Sequence, residues 1–400
     1  MFINPEDSPS HLLLLPGAND AERAAWAEAA LDYALAFGGV TVQHELAGVN
    51  WSAFRHVTLV NPPAWPPQLA AQVARASRTT DVDVIPAPTP DALRAVLNVR
   101  VYYGWRYGPQ TGQEWAALWP PGVCLIGLHG RADGELEDAD FEIVRRARAE
   151  AVKITSHATL ATVRRLRQIN PRMFVMVRPI AAFTQGDQPR TVSPQDFFEW
   201  TRDDVARLVD EDPAIRTIEL HNEPNLRLEG LGGAWQNGAE FGDWFLRVRD
   251  LYRRRFPSAR LGFPGLSPGP ALREPHRAEW QAFLDGATSA ALQADWIGVH
   301  SYWVNEREMF DHKLGFGWVE YRERFPEKLL FITEFGNPRQ SKPTVGRQYA
   351  RYYEQLRKVP GLGAAFAYVL SASDAADSAR YAWRTEDGAD VGIAEQVGNR

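Results

Sequence analysis

Two glutamates at the ends of apolar runs are the residues of this sequence best suited to do chemistry. Glu223 stands in "HNEP", directly after the apolar run "RTIEL", and Glu334 stands in "TEFG", at the end of "LLFITEF". Between them along the chain, His300 and Tyr302 end the run "DWIGVHSY". Two carboxyl groups about 5–5.5 Å apart can cleave a glycosidic bond, one as the nucleophile and the other as the acid and base. The residue types predict this chemistry if the fold brings the run ends together.

The elements that must do so are short apolar runs that alternate with amphipathic helical stretches. Eight such runs follow one another along the chain, at 123–128, 151–155, 173–180, 216–220, 260–265, 295–300, 329–335 and 364–370. Nearly continuous apolar strands alternating with helices indicate a parallel sheet that is covered by helices. Eight units in about 250 residues are typical of a (β/α)8 barrel. A doubly wound sheet is the alternative, but the even pacing favours a TIM barrel over residues 123–400.

The first 105 residues are organised separately. Strand-like runs such as "HLLLLPG" and "HVTLVNP" alternate with helical patterns such as "DAERAAWAEAALDYALAFG". This order predicts a small three-layer α/β domain, flavodoxin-like or Rossmann-like, over residues 1–105. Residues 106–122 would then form the linker. The turn "PGAND" lacks a full Gly-rich phosphate fingerprint, so a packing or oligomerisation function is favoured over nucleotide binding.

Within a barrel, catalytic groups lie at the carboxyl ends of the strands. Eight further residues at or just beyond strand ends are candidates for substrate binding: Asn222, His300, Tyr302, Trp303, Lys153, Arg178, His129 and Trp235. Trp303 and Trp235 offer flat apolar faces on which a sugar ring could stack. Apolar and aromatic neighbours would keep Glu223 protonated as the acid. A cation and a tyrosine hydroxyl would keep Glu334 ionised.

These motifs resemble those of a known enzyme class. "HNEP" on the fourth strand, "HSY" on the sixth and "TEFG" on the seventh are similar to the signatures of clan A retaining glycoside hydrolases, cellulase-like family 5 and its relatives above all. The resemblance covers residues 123–370. It implies that Glu223 is the acid/base and Glu334 the nucleophile. It also implies that His300 and Tyr302 line the catalytic subsite, with Tyr302 touching the nucleophile.

The chain departs from that pattern at two strands. Many relatives carry an arginine on the second strand, where this chain has Lys153, a point charge without the bidentate fork of arginine. Arg178 on the third strand is then the candidate for the missing cation. Many relatives also end the eighth strand with a tryptophan beneath the catalytic sugar. Here the run continues as "YVLSASD", and the next tryptophan is Trp383.

Composition narrows the classes of partner. A net charge of −6 argues against nucleic acid and anionic membranes, and the lone Cys124 excludes an intrachain disulfide or a multi-cysteine metal site. No two histidines have the spacing of a zincin motif, so we expect neither metal nor cofactor. The apolar run Leu12–Leu15 is too short for a signal or a membrane span. The sequence predicts a soluble, cytoplasmic protein that binds carbohydrate, and it does not indicate the oligomeric state.

Two other functions fit the same residues. A transglycosylase would use both glutamates with a sugar hydroxyl as the acceptor in place of water. A non-catalytic carbohydrate-binding barrel would keep the fold and the aromatic residues without the reaction, although the presence of both glutamates and Asn222 argues against it.

Overall fold

The computed structural model describes residues 11–54, 56–77, 82–103, 119, 123–131, 134–186, 188–269, 276–326, 328–357, 359–372 and 379–400. The predicted linker, apart from Trp119, lies outside these residues. The chain divides into two compact units. The N-terminal unit lies within Met1–Gly122 and includes Val359–Gly361, and the barrel unit comprises Val123–Lys358 and Leu362–Arg400. The domain boundaries at residues 105 and 122 stay a prediction.

The N-terminal unit contains a four-stranded parallel sheet between two layers of helices. Its elements are β1 (His11–Leu14), α1 (Asp20–Phe37), β2 (Val40–Gln43), β3 (His56–Val60), α2 (Leu69–Ser77), β4 (Asp83–Ile85) and α3 (Pro90–Tyr103). The strand order is β2-β1-β3-β4, the order found in flavodoxin-like sheets. The small α/β domain predicted from the sequence is confirmed.

The run of four leucines at 12–15 explains the two helical layers of this unit. Leu13 and Leu15 pack with α1 and α3 on one face of the sheet, whereas Leu12 and Leu14 pack with α2 on the other. Successive side chains of a strand point to opposite faces, so an uninterrupted apolar strand must be covered on both sides.

The barrel unit is a closed barrel of eight parallel strands, which confirms the predicted TIM barrel. The barrel strands are β5 (Leu125–His129), β6 (Ala151–Thr155), β7 (Phe174–Arg178), β10 (Thr217–Glu219), β11 (Arg260–Phe263), β12 (Trp296–Tyr302), β13 (Leu330–Gly336) and β14 (Leu362–Ala367). Each strand pairs with its neighbours in the barrel, and β14 pairs with β5 to close it. A two-stranded ribbon, β8 (Thr184–Gln185) and β9 (Gln188–Pro189), lies in the loop after β7.

Helices follow the strands of the barrel. They are α4 (Asp138–Arg146), α5 (Leu160–Ile169), α6 (Pro194–Val209), α7 (Gly238–Arg255), α8 (Trp280–Gln293), α9 (Glu306–Met309), α10 (Trp318–Arg324), α11 (Lys342–Leu356) and α12 (Ile393–Gly398). The start of α6 is a capping box in which Ser193 and Asp196 bind each other's backbone amides, with Pro194 at the first helical position. In the described part of the chain, no helix is long and apolar enough to span a bilayer.

Candidate active site

Glu334 lies near the carboxyl end of β13, and both of its carboxylate oxygens are held. Oε1 accepts hydrogen bonds from Arg178 Nη1 at 3.0 Å and from Lys153 Nζ at 3.3 Å. Oε2 accepts one from the Tyr302 hydroxyl at 2.8 Å. Burial opposes ionisation, but the charges of His300 and Lys153 outweigh it and hold the pKa of Glu334 well below its usual range. Glu334 is therefore an ionised carboxylate at neutral pH.

Lys153 reaches Glu334 from β6 inside the barrel. It is fully buried, and its ammonium group also donates to Glu219 Oε2 at 2.7 Å. Burial raises the pKa of Glu219, but the charges of Lys153 and His300 outweigh that effect, and the net shift is downward. Glu219 was missed by the sequence reasoning, although a glutamate inside the apolar run "RTIEL" was the available signal. A buried charge requires a paired partner, and Lys153 provides one for two carboxylates at once.

The chain turns sharply where β10 ends, and this turn carries Glu223. His221 and Glu223 have φ angles of +110° and +36°, which L residues rarely adopt. The Glu223 amide donates to the Gly265 carbonyl at 3.0 Å, which fixes the turn against the loop after β11. Such backbone conformations cost about 1–3 kcal/mol each and are concentrated at functional sites. The "HNEP" turn is therefore held in a strained conformation by its surroundings.

His300 links the two glutamates. Its Nδ1 is 2.9 Å from Glu223 Oε1 and 3.7 Å from Glu334 Oε2. Burial lowers the pKa of His300, but the carboxylates of Glu334 and Glu223 outweigh burial, so the pKa is raised. The environment of Glu223 thus includes an imidazole within hydrogen-bonding distance rather than the purely apolar neighbours that we expected.

Two local features place the His300 ring. A register shift between Val299 and His300 in the pairing of β12 with β13 brings His300 opposite Glu334. A β-bulge of this kind re-aims a side chain. Gly265 gives the ring room, because a Cβ atom at that position would lie 2.1 Å from His300 Cδ2.

The carboxyl groups of Glu223 and Glu334 are close together. One ligand atom from each of Glu223, His300 and Glu334 lies within 4.8 Å of the other two. These three residues are also the group, within the described ranges, that could hold a metal ion. Lys153 and Arg178 already supply two positive charges to Glu334, and their repulsion disfavours a metal cation there.

Asn222 is held at both ends of its amide. Its Oδ1 accepts from Arg178 Nη1 at 2.6 Å, and its Nδ2 donates to Glu229 Oε1 at 2.9 Å. Glu229 ends the short 3-10 turn Arg227–Glu229 in the loop after β10. Nothing in the sequence pattern marked Glu229, because its position depends on the course of an irregular loop. Asn222 as a whole is half-buried.

His129, at the end of β5, is a buried neighbour of Glu334. Its Nδ1 is 2.6 Å from the Gly130 carbonyl and therefore carries the proton, and its Nε2 lies 3.4 Å from Glu334 Oε1. Burial, with the charge of Lys153, lowers the pKa of His129 to about 4. His129, Lys153 and His300 are all nearly inaccessible to solvent, so they act on the carboxylates and do not form the surface of a sugar site.

The two tryptophans predicted to stack on sugar are core residues, which corrects that prediction. Trp303 is 1% exposed, packs parallel to Phe335 at 5.7 Å, and donates from Nε1 to Gln348. Trp235 is also 1% exposed, contacts Trp244, and donates to the Pro224 carbonyl. Each ring turns inward after its strand or loop because a buried partner satisfies the indole nitrogen there.

Three half-buried tyrosines provide the aromatic surface near Glu334 instead. Tyr302 contacts Tyr381 at a ring distance of 5.6 Å, and Tyr381 contacts Tyr368 at 5.4 Å. Tyr368 directly follows β14 and also packs against His129. It occupies the strand end at which the resemblance led us to look for a tryptophan, whereas Trp383 is fully buried.

No protein-family model matches this chain, and no curated protein matches its sequence. Its fold is similar to solved structures of glycoside hydrolases. One is a β-D-glucuronidase from Dictyoglomus thermophilum, with a TM-score of 0.48 and 12% identity over 70% of this chain. The match spans 50% of the length of that enzyme.

Two further solved structures are similar in fold. A GH128 subgroup II endo-β-1,3-glucanase from Sorangium cellulosum has a TM-score of 0.46 and 17% identity, over 67% of this chain and 97% of its own. A glycoside hydrolase family 30 subfamily 8 xylanase from Clostridium acetobutylicum has a TM-score of 0.46 and 12% identity, over 69% of this chain and 70% of its own. All three are glycoside hydrolases, the class that the strand-end motifs resemble.

Proposed function

We propose that this protein is a retaining glycoside hydrolase that cleaves β-glycosidic bonds by double displacement. The observation that carries the proposal is the short separation of Glu223 and Glu334, whose nearest ligand atoms lie within 4.8 Å. Retaining enzymes have carboxyl groups about 5–5.5 Å apart, whereas inverting enzymes need about 6.5–9.5 Å to admit a water molecule between them. The separation of Glu223 and Glu334 fits the shorter distance of retaining enzymes.

In the first step, Glu334 attacks the anomeric carbon while the bond to the leaving oxygen breaks. Oε1 of Glu334 is held by two cations, whereas Oε2 accepts one hydrogen bond from Tyr302. Oε2 is the freer oxygen and is therefore the nucleophilic atom. Glu223 donates its proton to the leaving oxygen, and the product is a glycosyl ester on Glu334.

In the second step, Glu223 takes a proton from water, and the resulting nucleophile displaces Glu334 from the sugar. His300 contacts Glu223 and lies near Glu334, and the two carboxylates raise the pKa of His300, so they favour its protonated form. Asn222 would bind the sugar 2-hydroxyl, a contact that strengthens in the transition state. Tyr302, Tyr368 and Tyr381 would supply the apolar faces around the ring.

A panel of aryl β-glycosides and β-linked oligosaccharides tests the proposal, with the anomeric configuration of the first product followed by NMR. We expect hydrolysis with retention by the wild type and no turnover by Glu334→Gln. An activated 2-deoxy-2-fluoro-β-glycoside should label Glu334, detected by peptide mass spectrometry. Inversion of configuration, or wild-type activity in Glu334→Gln, would refute the mechanism. Transfer of the sugar to an added sugar acceptor in preference to water would identify a transglycosylase.

A further inference from the structure

Glu229 is a third carboxyl group near Glu223 and Glu334, and the double displacement gives it no chemical step. It binds Asn222 directly, with 2.9 Å between Glu229 Oε1 and Asn222 Nδ2. An arginine only donates, so the oxygen of the Asn222 amide faces Arg178, and Glu229 Oε1 accepts from the amide nitrogen at the other end. Without Glu229, one of these two constraints is lost.

The turn that carries Glu229 is itself fixed by the core. His221 Nε2 lies 2.8 Å from the Glu229 carbonyl, and burial lowers the pKa of His221 to about 3, so the neutral imidazole donates this hydrogen bond. His221 packs in turn against Phe183 and Trp235. Gly230, with φ of +116°, allows close packing, because a Cβ atom there would lie 2.7 Å from the Trp235 ring. Glu229 is thus held on a rigid support.

The placement of Glu229 is electrostatically costly. Burial raises its pKa to about 7, although the hydrogen bond from Asn222 and the charge of Arg178 act in the opposite direction. The nearby carboxylates of Glu223 and Glu334 raise the pKa further. A perturbed carboxyl group in a cluster of this kind is more frequent at functional sites than elsewhere.

We propose that Glu229 is a positioning residue that orients Asn222 toward the 2-hydroxyl of the bound sugar. The amide nitrogen of asparagine has two N–H groups, and Glu229 takes one of them. The other remains for the substrate, with its direction set by the same contact. This inference rests on the proposed glycosidase function and implies a preference for sugars with a hydroxyl at C2 over 2-deoxy sugars.

A double-mutant cycle tests this role. Glu229→Ala, Asn222→Ala and the double variant are assayed on the most reactive aryl glycoside and on its 2-deoxy analogue. We expect Glu229→Ala to lower kcat by about 10- to 100-fold on the 2-hydroxy substrate, with a smaller change in KM, because the contact strengthens in the transition state. The loss should shrink below about threefold in the Asn222→Ala background and on the 2-deoxy substrate.

Two control variants accompany the double-mutant cycle. Glu229→Gln retains an acceptor oxygen and should keep most of the activity, which also covers the case in which Glu229→Ala folds poorly. Glu199→Ala removes an exposed carboxylate on α6 and should change nothing. Additive losses in the cycle, or an equal loss on the 2-deoxy substrate, would refute the role of Glu229 while the hydrolase assignment stands. A wild type that turns over no glycoside would refute both proposals.

Discussion

Each unit of the protein contains a buried polar network built on parallel strands, and the two networks differ in what they leave open. In the N-terminal unit, Arg100 makes two hydrogen bonds to Asp83, at 2.6 and 2.9 Å. The Thr58 hydroxyl also donates to Asp83, at 2.7 Å, and so must accept from His11 Nε2 at 2.8 Å. Arg100 and Asp83 therefore form a bidentate ion pair, and Thr58 and His11 extend it by two further hydrogen bonds.

The barrel network holds more carboxylates than the network in the N-terminal unit. Glu219 and Glu334 share Lys153, while Glu223 remains half-buried beside His300. Among the described residues, the Glu223 carboxyl group has one hydrogen-bond partner, His300, whereas three donors bind the carboxylate of Asp83, so Glu223 has more capacity to take or give a proton. We infer that an ion pair whose carboxylate is fully hydrogen-bonded stabilises the fold, whereas a carboxyl group with fewer partners can take part in a reaction.

The strongest test of this difference is removal of the Glu334 charge. Glu334→Gln should lower kcat by at least about 10⁴-fold, because the amide cannot form the glycosyl ester. The free energy of unfolding should fall less than in the N-terminal variant described next, because Lys153 keeps Glu219 and Arg178 keeps Asn222 as partners when the charge of Glu334 is lost. Glycoside turnover and urea unfolding measure the two effects. A variant that is both active and destabilised would reverse the assignment of roles.

The matched substitution in the N-terminal unit should have the opposite outcome. Asp83→Ala leaves Arg100 buried without its counter-charge, and breaking such a pair costs about 3–5 kcal/mol. We expect a loss of this size in the unfolding of that unit, measured by calorimetry, and less than a twofold change in kcat. Replacing both partners, Asp83→Leu with Arg100→Met, should restore much of the stability. A large loss of kcat in a folded variant would contradict the distinction.

Lys153 offers a test within the barrel network. Lys153→Met removes a cation that holds the pKa of Glu334 down, so the acidic limb of the kcat/KM profile should move to higher pH. We expect kcat to fall about 100-fold at neutral pH. Lys328→Met is the control, because the Lys328 ammonium is half-buried but binds the carbonyl of Ala294. An unshifted acidic limb would mean that Lys153 does not control ionisation of the nucleophile.

The smallest expected effect is on the stability of the barrel in acid. His129 and His221 have pKa values lowered to about 4 and about 3, so the unfolded state binds more protons than the folded state from about pH 6.5 downward. Glu229, with its pKa raised to about 7, acts in the opposite direction between about pH 4.5 and 7. Together, these three groups should lower the free energy of unfolding by roughly 2 kcal/mol between pH 6.5 and pH 4.5.

Urea unfolding at the two pH values measures this loss. Glu229→Gln removes the opposing contribution and should roughly double the difference between pH 6.5 and pH 4.5. An unfolding free energy that is equal at both pH values would contradict the burial of two neutral histidines.

Much of the architecture was predictable because it depends on periodicity. The eight barrel strands and the leucine run at 12–15 are apolar patterns that local sequence displays directly. The positions of Glu223, Glu334 and Tyr302 followed from the rule that reactive groups lie at the carboxyl ends of barrel strands. These residues needed no knowledge of distant contacts.

The rest depends on packing between segments far apart in the chain. Trp303 turns inward because Gln348, on a later helix, binds its indole nitrogen. Glu219 points into the barrel, where Lys153 meets it, and the direction of one strand residue is set by closure of the whole sheet. Glu229 depends on an irregular loop. A glutamate within the apolar run "RTIEL" is a local signal for Glu219, but no local pattern indicates its partner or the other two outcomes.

The tight approach of Gly265 to His300 has a consequence for attempts to change the specificity of this barrel. Residue 265 has no side chain, and a mutagenesis library aimed at substrate contacts would pass over it. Even alanine at this position would displace the imidazole that binds Glu223, because the added carbon would lie 2.1 Å from its ring. An engineered variant can therefore change Tyr368 and Tyr381, but it inherits the absence of a side chain at residue 265 as a fixed requirement.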